Sequence, residues 1–569
     1  MVRKIFGFFY QGFLDKEINS LNQAAFLLGF FSLLSQFIGF LRDRLLAHMF
    51  GAGSELDVYY AAFRIPDFLF VSVASIVSLS VLVPFIIEKE AVGRHALHDF
   101  IDSIFSFFSI LILGVAALVY FLMPQISQTL FKGFSPAALE DVIFISRLML
   151  LSPIILGLSN LFGSLTQAYN RFLIYALAPI LYNAGIVIGI MIFSQKLGIL
   201  GAAIGVILGA SLHLLVQVPF VWQSGLLPRL RLGFGGQASP DWRVIHSVVR
   251  ISFPRTLTLS MSSVVLLFLV AMAARIASGS VSIISLSNNI QTISLSLIGV
   301  SYSLAAFPTL SRKFQEKDMK AFVEQMATST RFIIFWSLPL TALLIVLRAQ
   351  VVRVLLGSGL FDWGATRLTA AAVALFAISS LFQSLMLLFM RGFYSAGFTR
   401  KPFYVNLFST LALGLITYYL LELFYRSNIF HLFITTLLKV EDLPSSAVLM
   451  LPLGFSLGTF LNTIILWYAF EREFPGFSQG IVRTLFEGVG AACIMGAVSY
   501  AGLNIFASFF NTDTLAGIFL QGFAAGILGI VAAVLVLIAL KSPELSQVSR
   551  ALRGRFWKTK VIATDPEII

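Results

Sequence analysis

The stretch SQFIGFLRDRLLAHMFGAGSELDVYYAAFRIPD, residues 35–67, joins two long apolar segments through the glycine-containing turn 51–53. These apolar segments extend over 22–47 and 57–88, and about 20 apolar residues are enough to cross the hydrocarbon core of a bilayer. The same stretch contains the densest group of charged residues in any apolar segment of the chain. It therefore predicts two membrane-spanning helices that carry charge inside the bilayer.

The composition indicates a membrane protein throughout the chain. Of the 569 residues, 58% are hydrophobic and only 12% are charged, whereas a soluble globular protein has roughly 25% charged residues. A soluble fold of this composition would expose large apolar patches to water, so a soluble enzyme, a disordered protein and a disulfide scaffold are excluded. The single cysteine, Cys493, can form neither an internal disulfide nor a cysteine-based metal cluster.

Fourteen apolar segments are long enough to be membrane-spanning helices. The sequence therefore predicts an all-α polytopic membrane protein. The predicted spans are 22–47, 57–88, 98–123, 140–168, 172–194, 198–222, 248–275, 281–306, 327–347, 366–391, 402–425, 447–469, 482–509 and 514–540.

The distribution of positive charge predicts the orientation. The Lys and Arg residues of the loops concentrate on the side that holds the N-terminus, and the positive-inside rule places that side in the cytoplasm. With an even number of spans, both termini are predicted to be cytoplasmic. Residues 1–21 are predicted to form an interfacial arm, and the basic tail 541–569 to lie on anionic lipid. The net charge of +12 is thus explained by topology, and nucleic acid is not predicted as a partner.

The chain also contains an internal repeat. Three landmark residues recur at nearly one offset, namely Pro84 and Pro308 (308 − 84 = 224), Gly133 and Gly357 (357 − 133 = 224), and Tyr169 and Tyr394 (394 − 169 = 225). The offset covers six helices, an even number, so both copies insert with the same orientation and enclose a central cavity. We predict an N-terminal lobe at 22–222 and a C-terminal lobe at 248–470, related by a pseudo-two-fold axis and joined by a cytoplasmic linker at 223–247. The last two helices, within 471–540, lie outside the repeat.

Charged residues inside the first two spans are candidates for the functional site. A charge at the bilayer centre costs about 2.5–3.5 kcal/mol on insertion scales, and it is retained where it faces a cavity or a partner. Arg42 and Arg64 are therefore candidates for contact with a substrate or a gate. Two alternatives stay open: an ion pair of Arg42 with Asp57 or Asp67 across the two helices, or arginines near enough to the interface to reach it. Adjacent residues point about 100° apart on a helix, so Arg42 and Asp43 are not expected to face each other.

The eighth span is polar without being charged. Ser287, Asn288, Asn289 and Gln291 either line a wet cavity or form hydrogen bonds to neighbouring helices. A cavity with cations mainly in one lobe suits a substrate with an anionic head, because arginine recognises phosphate through two parallel hydrogen bonds.

These segments resemble the MurJ (MviN) family of lipid II flippases, in the multidrug/oligosaccharidyl-lipid/polysaccharide exporter superfamily. Residues 35–67 follow the family pattern S-R-x-x-G-F-x-R-D, then F-G-A-G-x-x-x-D-A-F and F-x-x-P-N. Further matches are AYNRFLIYALAPILYN at 168–183, AAFPTLS at 305–311 and GFYSAGFTRKP at 392–402. The resemblance covers about 22–540, and fourteen spans is the family's number.

The resemblance implies two six-helix lobes around a cationic cavity, a groove for a lipid tail on the last two helices, and alternating access. It implies a transporter of the inner membrane that is not an enzyme, needs no cofactor and carries lipid II, a polyprenyl-pyrophosphate-linked glycan. Membrane lipids are the other expected partners, and no protein partner is named by the sequence.

The resemblance also implies roles for single residues. Arg42 matches an arginine tied to function, and Arg64 falls where the family has a cation or a polar residue. Asp43 and Asp57 match aspartates that help to close the outward gate. We therefore predict that the two arginines bind the substrate and that the two aspartates form the gate.

Several cavity positions depart from the family pattern. Two family arginines, a glutamate and an aspartate–arginine pair are replaced in this chain by Gln36, Phe70, Ser75, Asn288 and Asn289. Asn288 and Asn289 are predicted as uncharged substrate-binding residues, and Arg255 or Arg275 is a candidate to replace the missing charge. The acidic ligand of the family's sodium site has no counterpart in 256–274. This absence argues against sodium binding and leaves the membrane potential or another cation as the driving force.

Three other functions are compatible with parts of this pattern. The missing cations favour a flippase for another polyprenyl-pyrophosphate-linked glycan, such as a capsule or surface-polysaccharide unit. A membrane glycosyltransferase would need catalytic carboxylates or histidines, and the acids of the outside loops are scattered. A scaffold would bind a partner, and the outside loop 426–446, with an apolar run at 429–438 predicted to lie on the membrane, offers a surface for one.

Overall fold

The computed structural model describes residues 21–77, 79–231, 233 and 240–557. This part of the chain is helical and contains no β-strand. In chain order its α-helices are α1 (Leu21–Phe50), α2 (Ser54–Val73), α3 (Leu79–Val92), α4 (Arg94–Leu130), α5 (Pro136–Met149), α6 (Leu151–Ala168), α7 (Phe172–Ile192), α8 (Ser194–Leu197), α9 (Ile199–Leu215), α10 (Val218–Gln223), α11 (Trp242–Ala273), α12 (Ser280–Ser294), α13 (Ser301–Gln315), α14 (Met319–Val346), α15 (Arg348–Leu355), α16 (Trp363–Ser395), α17 (Arg400–Arg426), α18 (Asn428–Leu438), α19 (Met450–Glu473), α20 (Ile481–Phe506), α21 (Leu515–Ala539) and α22 (Pro543–Trp557).

Among the described residues, 11 helical segments are long and apolar enough to cross a membrane. Each of them lies at one of the predicted spans. The other three predicted spans contain α1, the pair α2 and α3, and α11, whose apolar part is Ser260–Ala273. The prediction of an all-α polytopic membrane protein is therefore confirmed.

The second predicted span, 57–88, is interrupted. α2 ends at Val73, a 3₁₀ turn covers Ala74–Val77, and α3 begins at Leu79. The sequence SVASIVSLSV at 72–81 contains four serines and four β-branched residues. Serine hydroxyls compete for backbone hydrogen bonds and β-branched side chains lose χ1 freedom in a helix. Apolarity thus identified the segment, but it did not reveal the 3₁₀ turn within it.

Helices α7 and α9 pack glycine against glycine. A Cβ atom placed on Gly189 would lie 2.2 Å from the Cα atom of Gly205, and one on Gly185 would lie 2.4 Å from the Cα atom of Gly209. Small residues let helix backbones approach closely where the surrounding lipid supplies no hydrophobic driving force. Because α7 also packs against α1, this helix pair supports the side chains that α7 presents to α1.

Several helices begin at side-chain caps. Asp241 accepts hydrogen bonds from backbone N–H groups at the start of α11, Asp318 does so at α14, and Thr514 does so at α21. Aspartate and threonine satisfy amides that have no partner within the helix. These caps fix the start of each helix in the sequence.

Packing divides the described chain into two compact units. The first contains the chain up to Leu286, together with Leu355–Thr369 and Thr417–Leu451. The second contains Ser287–Val354, Ala370–Ile416 and the chain from Pro452. The second unit is built around fully buried aromatic side chains, among them Phe322, Phe389, Phe393, Phe470 and Phe477. The two units are defined by packing contacts and not by the sequence repeat. They therefore do not test the limits of the two predicted lobes, which stay predictions.

The apolar run of the outside loop forms α18 in the first unit. Ile429, Leu432, Phe433 and Leu437 are exposed, with Ile429 84% exposed, whereas Ile434 and Leu438 are buried. The loop that follows is attached to α16, because Arg367 donates hydrogen bonds of 2.6 and 2.7 Å to the two carboxylate oxygens of Asp442. The same hydrogen bonds hold the pKa of Asp442 below its usual range. The placement of α18 on the membrane stays a prediction.

Candidate functional site

Arg42 on α1 is held by two neighbours. Its Nε and Nη2 atoms donate hydrogen bonds of 2.9 and 2.8 Å to Oδ1 of Asp43. Its Nη1 atom donates to Oδ1 of Asn183 at 3.0 Å. The expectation that Arg42 and Asp43 do not face each other was wrong, because the long arginine side chain folds back along the helix. The angle of about 100° between adjacent residues of a helix keeps short side chains apart, but a long arginine side chain can still reach its neighbour.

Asn183 on α7 connects two helices at this point. Its Nδ2 atom lies 3.3 Å from Oγ of Ser35 on α1 and 3.2 Å from the carbonyl oxygen of Pro179 on its own helix. These bonds orient the amide so that its oxygen accepts from Arg42. The sequence analysis missed this residue. The available signal was its place at the end of the motif AYNRFLIYALAPILYN.

Asp57 on α2 caps the start of α12. Its Oδ2 atom accepts a hydrogen bond of 2.6 Å from the Gly279 N–H, and its Oδ1 atom accepts from the N–H and the hydroxyl of Ser282 at 2.7 and 2.6 Å. The side chain is buried, and the residue is only 2% exposed. A carboxylate at a helix N-terminus meets unpaired amides and a favourable helix dipole. Asp57 therefore does not form the ion pair with Arg42 that was left open above.

The same region brings three loops together. Gly279 has a φ of +88°, and a Cβ atom there would lie 2.3 Å from the carbonyl oxygen of Ala52. The Leu360 N–H donates to the carbonyl oxygen of His48 at 2.9 Å. We call this set of contacts among 48–57, 279–282 and 359–360 the hairpin junction. It joins the two predicted repeats within the first compact unit.

Arg64 on α2 keeps unused hydrogen-bonding capacity. Its Nη2 atom donates to Oγ of Ser285 at 3.3 Å. Its Nε atom is buried and has no hydrogen-bond partner among the described residues. The helix continues through Pro66, which cannot donate to the Ala62 carbonyl oxygen, and Ser146 donates to that oxygen instead at 3.2 Å. The backbone here is thus satisfied, whereas the guanidinium is not.

Two tyrosines on the same helix lie near these arginines. Tyr59 and Tyr60 are buried on α2 and lie within electrostatic range of both Arg42 and Arg64. The hydroxyl of Tyr60 has no hydrogen-bond partner among the described residues. Buried polar groups are normally paired, so unpaired donors close to one another are a sign of a binding site for water, an ion or a ligand.

The polar residues of the eighth predicted span begin the second unit. Asn288 and Asn289 are partly buried on α12, and the Asn288 carbonyl oxygen accepts from Thr292 at 2.8 Å. Gln291 is buried and donates to Oγ of Ser380 on α16 at 3.0 Å. Gln291 therefore bonds a neighbouring helix, which was one of the two interpretations of this segment.

Arg275 and Arg255 were the remaining candidates for a cation at this site. Arg275 is exposed at the end of α11, and the side chain of Arg255 lies outside the described residues. Among the described residues, no group of three or more His, Cys, Asp or Glu side chains could hold a metal ion.

The second unit contains an apolar cavity beside the last two membrane helices. Its volume is about 420 Å³, and its walls include Leu297, Tyr302, Trp336, Met495 and Val534. These residues come from a π-helical segment, Leu295–Val300, and from α13, α14, α20 and α21. The cavity has the chemistry of a site for a hydrocarbon chain.

The polar groups described here are arranged to bind and to close, rather than to make or break covalent bonds. Two arginines on neighbouring helices offer donors to an anion, and one carboxylate closes a junction between helices. Within membrane-spanning helices, this arrangement defines the class of the protein as a membrane transporter.

Comparisons with known proteins agree with this class. The family model described as lipid II flippase MurJ matches residues 46–520. The lipid II flippase MurJ of Burkholderia cenocepacia is 23% identical over 484 residues, which cover 83% of this chain and 89% of that protein. The probable lipid II flippase MurJ of Thermotoga maritima is 27% identical over 390 residues, covering 67% of this chain and 76% of the relative.

Solved structures show the same fold. A lipid II flippase MurJ in an inward closed conformation superposes with a TM-score of 0.70 at 19% identity, covering 90% of this chain and 99% of that chain. An inward-facing multidrug resistance MATE family transporter of the MOP superfamily superposes with a TM-score of 0.62 at 14% identity, covering 78% and 96%. Because its model covers most of the sequence, the chain belongs to the MurJ family of lipid II flippases.

Family membership confirms four predictions. The resemblance seen at 35–67 is correct, the protein is a transporter rather than an enzyme, it is a multi-pass protein of the inner membrane, and its fold is that of this superfamily. The roles of the single residues, the orientation of the termini and the driving force stay predictions.

Proposed function

We propose that this protein translocates lipid II across the inner membrane by alternating access, with the pyrophosphate held by arginines of the first unit. The observation that carries the proposal is the Arg64 guanidinium, whose buried Nε donor has no hydrogen-bond partner in the described part of the chain. Guanidinium groups bind phosphate through two parallel hydrogen bonds, which add both energy and orientation. Arg64 thus has the donors that a pyrophosphate oxygen requires.

Arg42 has a supporting place in this proposal. Three of its donor contacts go to Asp43 and Asn183, but a guanidinium carries five N–H groups. The remaining donors can contact the head group while the first three fix the orientation of the fork. Asp43 then serves both as a gate residue and as the group that keeps Arg42 in place.

Asp57 supplies the gate. In the closed arrangement its carboxylate binds the first amides of α12 in the hairpin junction. Alternating access requires this junction to open in one state and close in the other. Asp57 supports the proposal because it joins the two predicted repeats by hydrogen bonds that can break and form again.

The lipid tail and the sugar need different surroundings. The apolar cavity beside α20 and α21 suits part of the polyprenyl chain. Asn288 and Asn289 offer uncharged donors and acceptors of the kind that bind sugar hydroxyls. We assign both termini to the cytoplasm, since the positive loop residues lie on the side of the N-terminus.

A complementation experiment tests the proposal. The chain is expressed in a bacterium depleted of its own lipid II flippase, and membrane levels are measured by immunoblot. Growth is expected for the unchanged chain and for Lys132→Ala, a control at an exposed loop cation. Flipping by Arg64→Ala in vesicles is expected to fall by about tenfold to hundredfold, since a hydrogen bond to a charged group contributes roughly 1.5–3 kcal/mol.

The outcomes separate the possibilities. Full activity of Arg64→Ala and Arg42→Ala at normal membrane levels contradicts the site assignment. Failure of the unchanged chain to support growth at normal levels contradicts lipid II as the substrate. That second result would favour another polyprenyl-pyrophosphate-linked glycan, which the uncharged residues Gln36, Phe70, Asn288 and Asn289 also favour.

A further inference from the structure

A small cavity lies inside the first unit, next to the arginine site. Its volume is about 200 Å³, and it is a partly open cavity lined by residues of α2, α5, α6, α7 and α9. Of the side chains that line it, only those of Asp67, Ser152 and Tyr182 carry oxygen atoms. Phe70, Leu156 and Val206 are among the apolar residues of the wall. The cavity thus places one carboxylate in mostly hydrocarbon surroundings.

Asp67 differs from the family pattern at this point. The pattern F-x-x-P-N has asparagine after the proline, whereas this chain reads FRIPD at 63–67. Among the described residues, the Asp67 side chain has no hydrogen bond and no cation lies within ion-pair distance of its carboxylate, although its backbone belongs to α2. Replacing a neutral amide with an acid in such a place is expensive unless the charge is compensated.

The groups around Asp67 leave few ways to compensate its charge. Arg64, one turn earlier on α2, is the cation whose field reaches it, and that guanidinium donates to Ser285. Tyr182 on α7 is a neutral phenol within electrostatic range, and the Arg42–Asp43 pair on α1 is already internally bonded. The residues that α5, α6 and α9 contribute to the wall, such as Met149, Pro153 and Val206, do not titrate.

A proton suits this cavity better than a metal ion. Hard metal cations take about six or more oxygen ligands, and the lining side chains offer one carboxylate and two hydroxyls. A carboxylate removed from water is neutralised by taking up a single proton. The Ser152 and Tyr182 hydroxyls can then accept or donate one hydrogen bond to the acid.

We propose that Asp67 is a proton-binding site that couples transport to the proton gradient. The coupling part of this inference rests on the proposed function of Arg64. When a pyrophosphate occupies Arg64, Asp67 loses the positive field beside it and takes a proton from water onto a carboxylate oxygen. When the head group leaves, the Arg64 charge favours release of that proton to water. One proton therefore moves with each head group, and no covalent bond in the substrate changes.

The first experiment detects the proton without transport. Infrared difference spectra of the full-length purified protein are recorded over a pH series, and the carbonyl stretch of protonated carboxylic acids is followed. A titrating band is expected in the unchanged protein and in Asp141→Asn, whose acid is exposed on α5. The 27 Asp and Glu residues all contribute to this band, so the expected result is the loss of one component in Asp67→Asn, which restores the residue of the family pattern, and the retention of that component in Asp141→Asn. If no component is lost specifically in Asp67→Asn, the proposal is overturned.

The second experiment tests the coupling in proteoliposomes that contain lipid II and a pH-sensitive dye. A gradient of one pH unit corresponds to about 1.4 kcal/mol per proton, or up to about tenfold in the transport equilibrium. Because the proton moves with the head group, the unchanged protein should flip lipid II faster towards the alkaline side than towards the acidic side. The flipping rate of Asp67→Asn should not depend on the direction of the pH gradient. Dependence of the Asp67-sensitive transport on a sodium gradient instead of a pH gradient overturns the proton assignment.

The two proposals fail in different ways. If the unchanged protein shows the Asp67 band but does not flip lipid II, the proposed function fails and the proton site stands. If the protein flips lipid II equally well with and without a pH gradient, the proton coupling fails and the proposed function stands.

Discussion

Asp57 holds the hairpin junction with hydrogen bonds and without a countercharge. Its two carboxylate oxygens accept three hydrogen bonds from the start of α12, and no cation pairs with it among the described residues. The unpaired amides of a helix N-terminus supply the compensating positive potential. Opening the junction therefore requires these three bonds to break together.

An Asp57→Asn variant tests this at the level of one residue. The amide has one acceptor oxygen instead of two, so the Gly279 N–H is expected to lose its partner. Loss of an N-terminal cap costs about 0.5–2 kcal/mol, which corresponds to roughly two- to thirtyfold faster local opening. Hydrogen–deuterium exchange of 279–283 measures the change, with Ser282→Ala as a control that removes only the hydroxyl contact. Equal exchange in Asp57→Asn and the unchanged protein would contradict the capping role.

Candidate site residues could be selected from the sequence, but their contacts could not be predicted from it. Charge in an apolar segment is visible in the letters, which is why Arg42, Asp57 and Arg64 were selected. The bond of Arg42 to Asp43 depends on a side-chain conformation, and its bond to Asn183 depends on how α1 packs against α7. Neither hydrogen bond can be inferred from the spacing of these residues along the chain.

Helix pairs in this protein are defined by the residues at their contact faces. α7 and α9 approach so closely that their glycines are in backbone contact, at Gly185 with Gly209 and at Gly189 with Gly205. Protein interiors are close-packed, and added atoms force the backbone to shift. Asn183 on α7 accepts a hydrogen bond from Arg42. A shift of α7 relative to α9 would therefore also move the hydrogen-bond partner of the arginine.

A Gly189→Ala variant tests the contact at the level of the helices. The new methyl group would lie 2.2 Å from the Gly205 Cα atom, so overpacking is expected to cost about 1–3 kcal/mol. Gly114→Ala on α4 is the matched control, because nothing lies within 4 Å of a Cβ atom there. Thermal unfolding in detergent should show a lower Tm for the first variant and an equal or higher Tm for the second. Equal Tm values for both variants would contradict the close packing.

The sequence predicted the helices well and their interruptions poorly. Runs of apolar residues are set by the thickness of the bilayer, so they located every long helix. The 3₁₀ turn at Ala74–Val77 lies in a serine-rich segment, and serine is a residue that disfavours the helix interior. Serine changes the hydropathy of an apolar segment too little for the turn to be visible in a hydropathy pattern.

At the scale of the whole molecule, the linker between the predicted repeats is attached to α4. Arg231 donates to Asp99 at 2.7 Å and to Asp102 at 2.9 Å, and the Arg229 N–H donates to Asp102 at 2.8 Å. Hydrogen bonds to both aspartates raise the pKa of Arg231 despite its partial burial. Because the linker connects the two predicted lobes, this attachment restricts how the chain passes from one to the other.

An Arg231→Ala variant tests the attachment. Asp102 is buried, so removal of Arg231 leaves its carboxylate without a countercharge and with the Arg229 N–H as a remaining hydrogen-bond donor. A cost of up to about 3 kcal/mol is expected. The control is Asp99→Asn, which removes an acid that is 40% exposed and should cost less. A lower Tm for Arg231→Ala than for Asp99→Asn, together with faster proteolysis in the linker, is the expected result. Linker proteolysis that is unchanged in Arg231→Ala would contradict the role.

The enclosed position of Asp57 has a consequence for the setting in which the protein works. Dissolved ions screen exposed charge pairs, with a Debye length of about 8 Å at physiological ionic strength. They reach a buried carboxylate bound to backbone amides only weakly. The hairpin junction should therefore close equally firmly in dilute and in saline surroundings, which keeps its closure independent of the osmotic changes that a bacterial envelope meets.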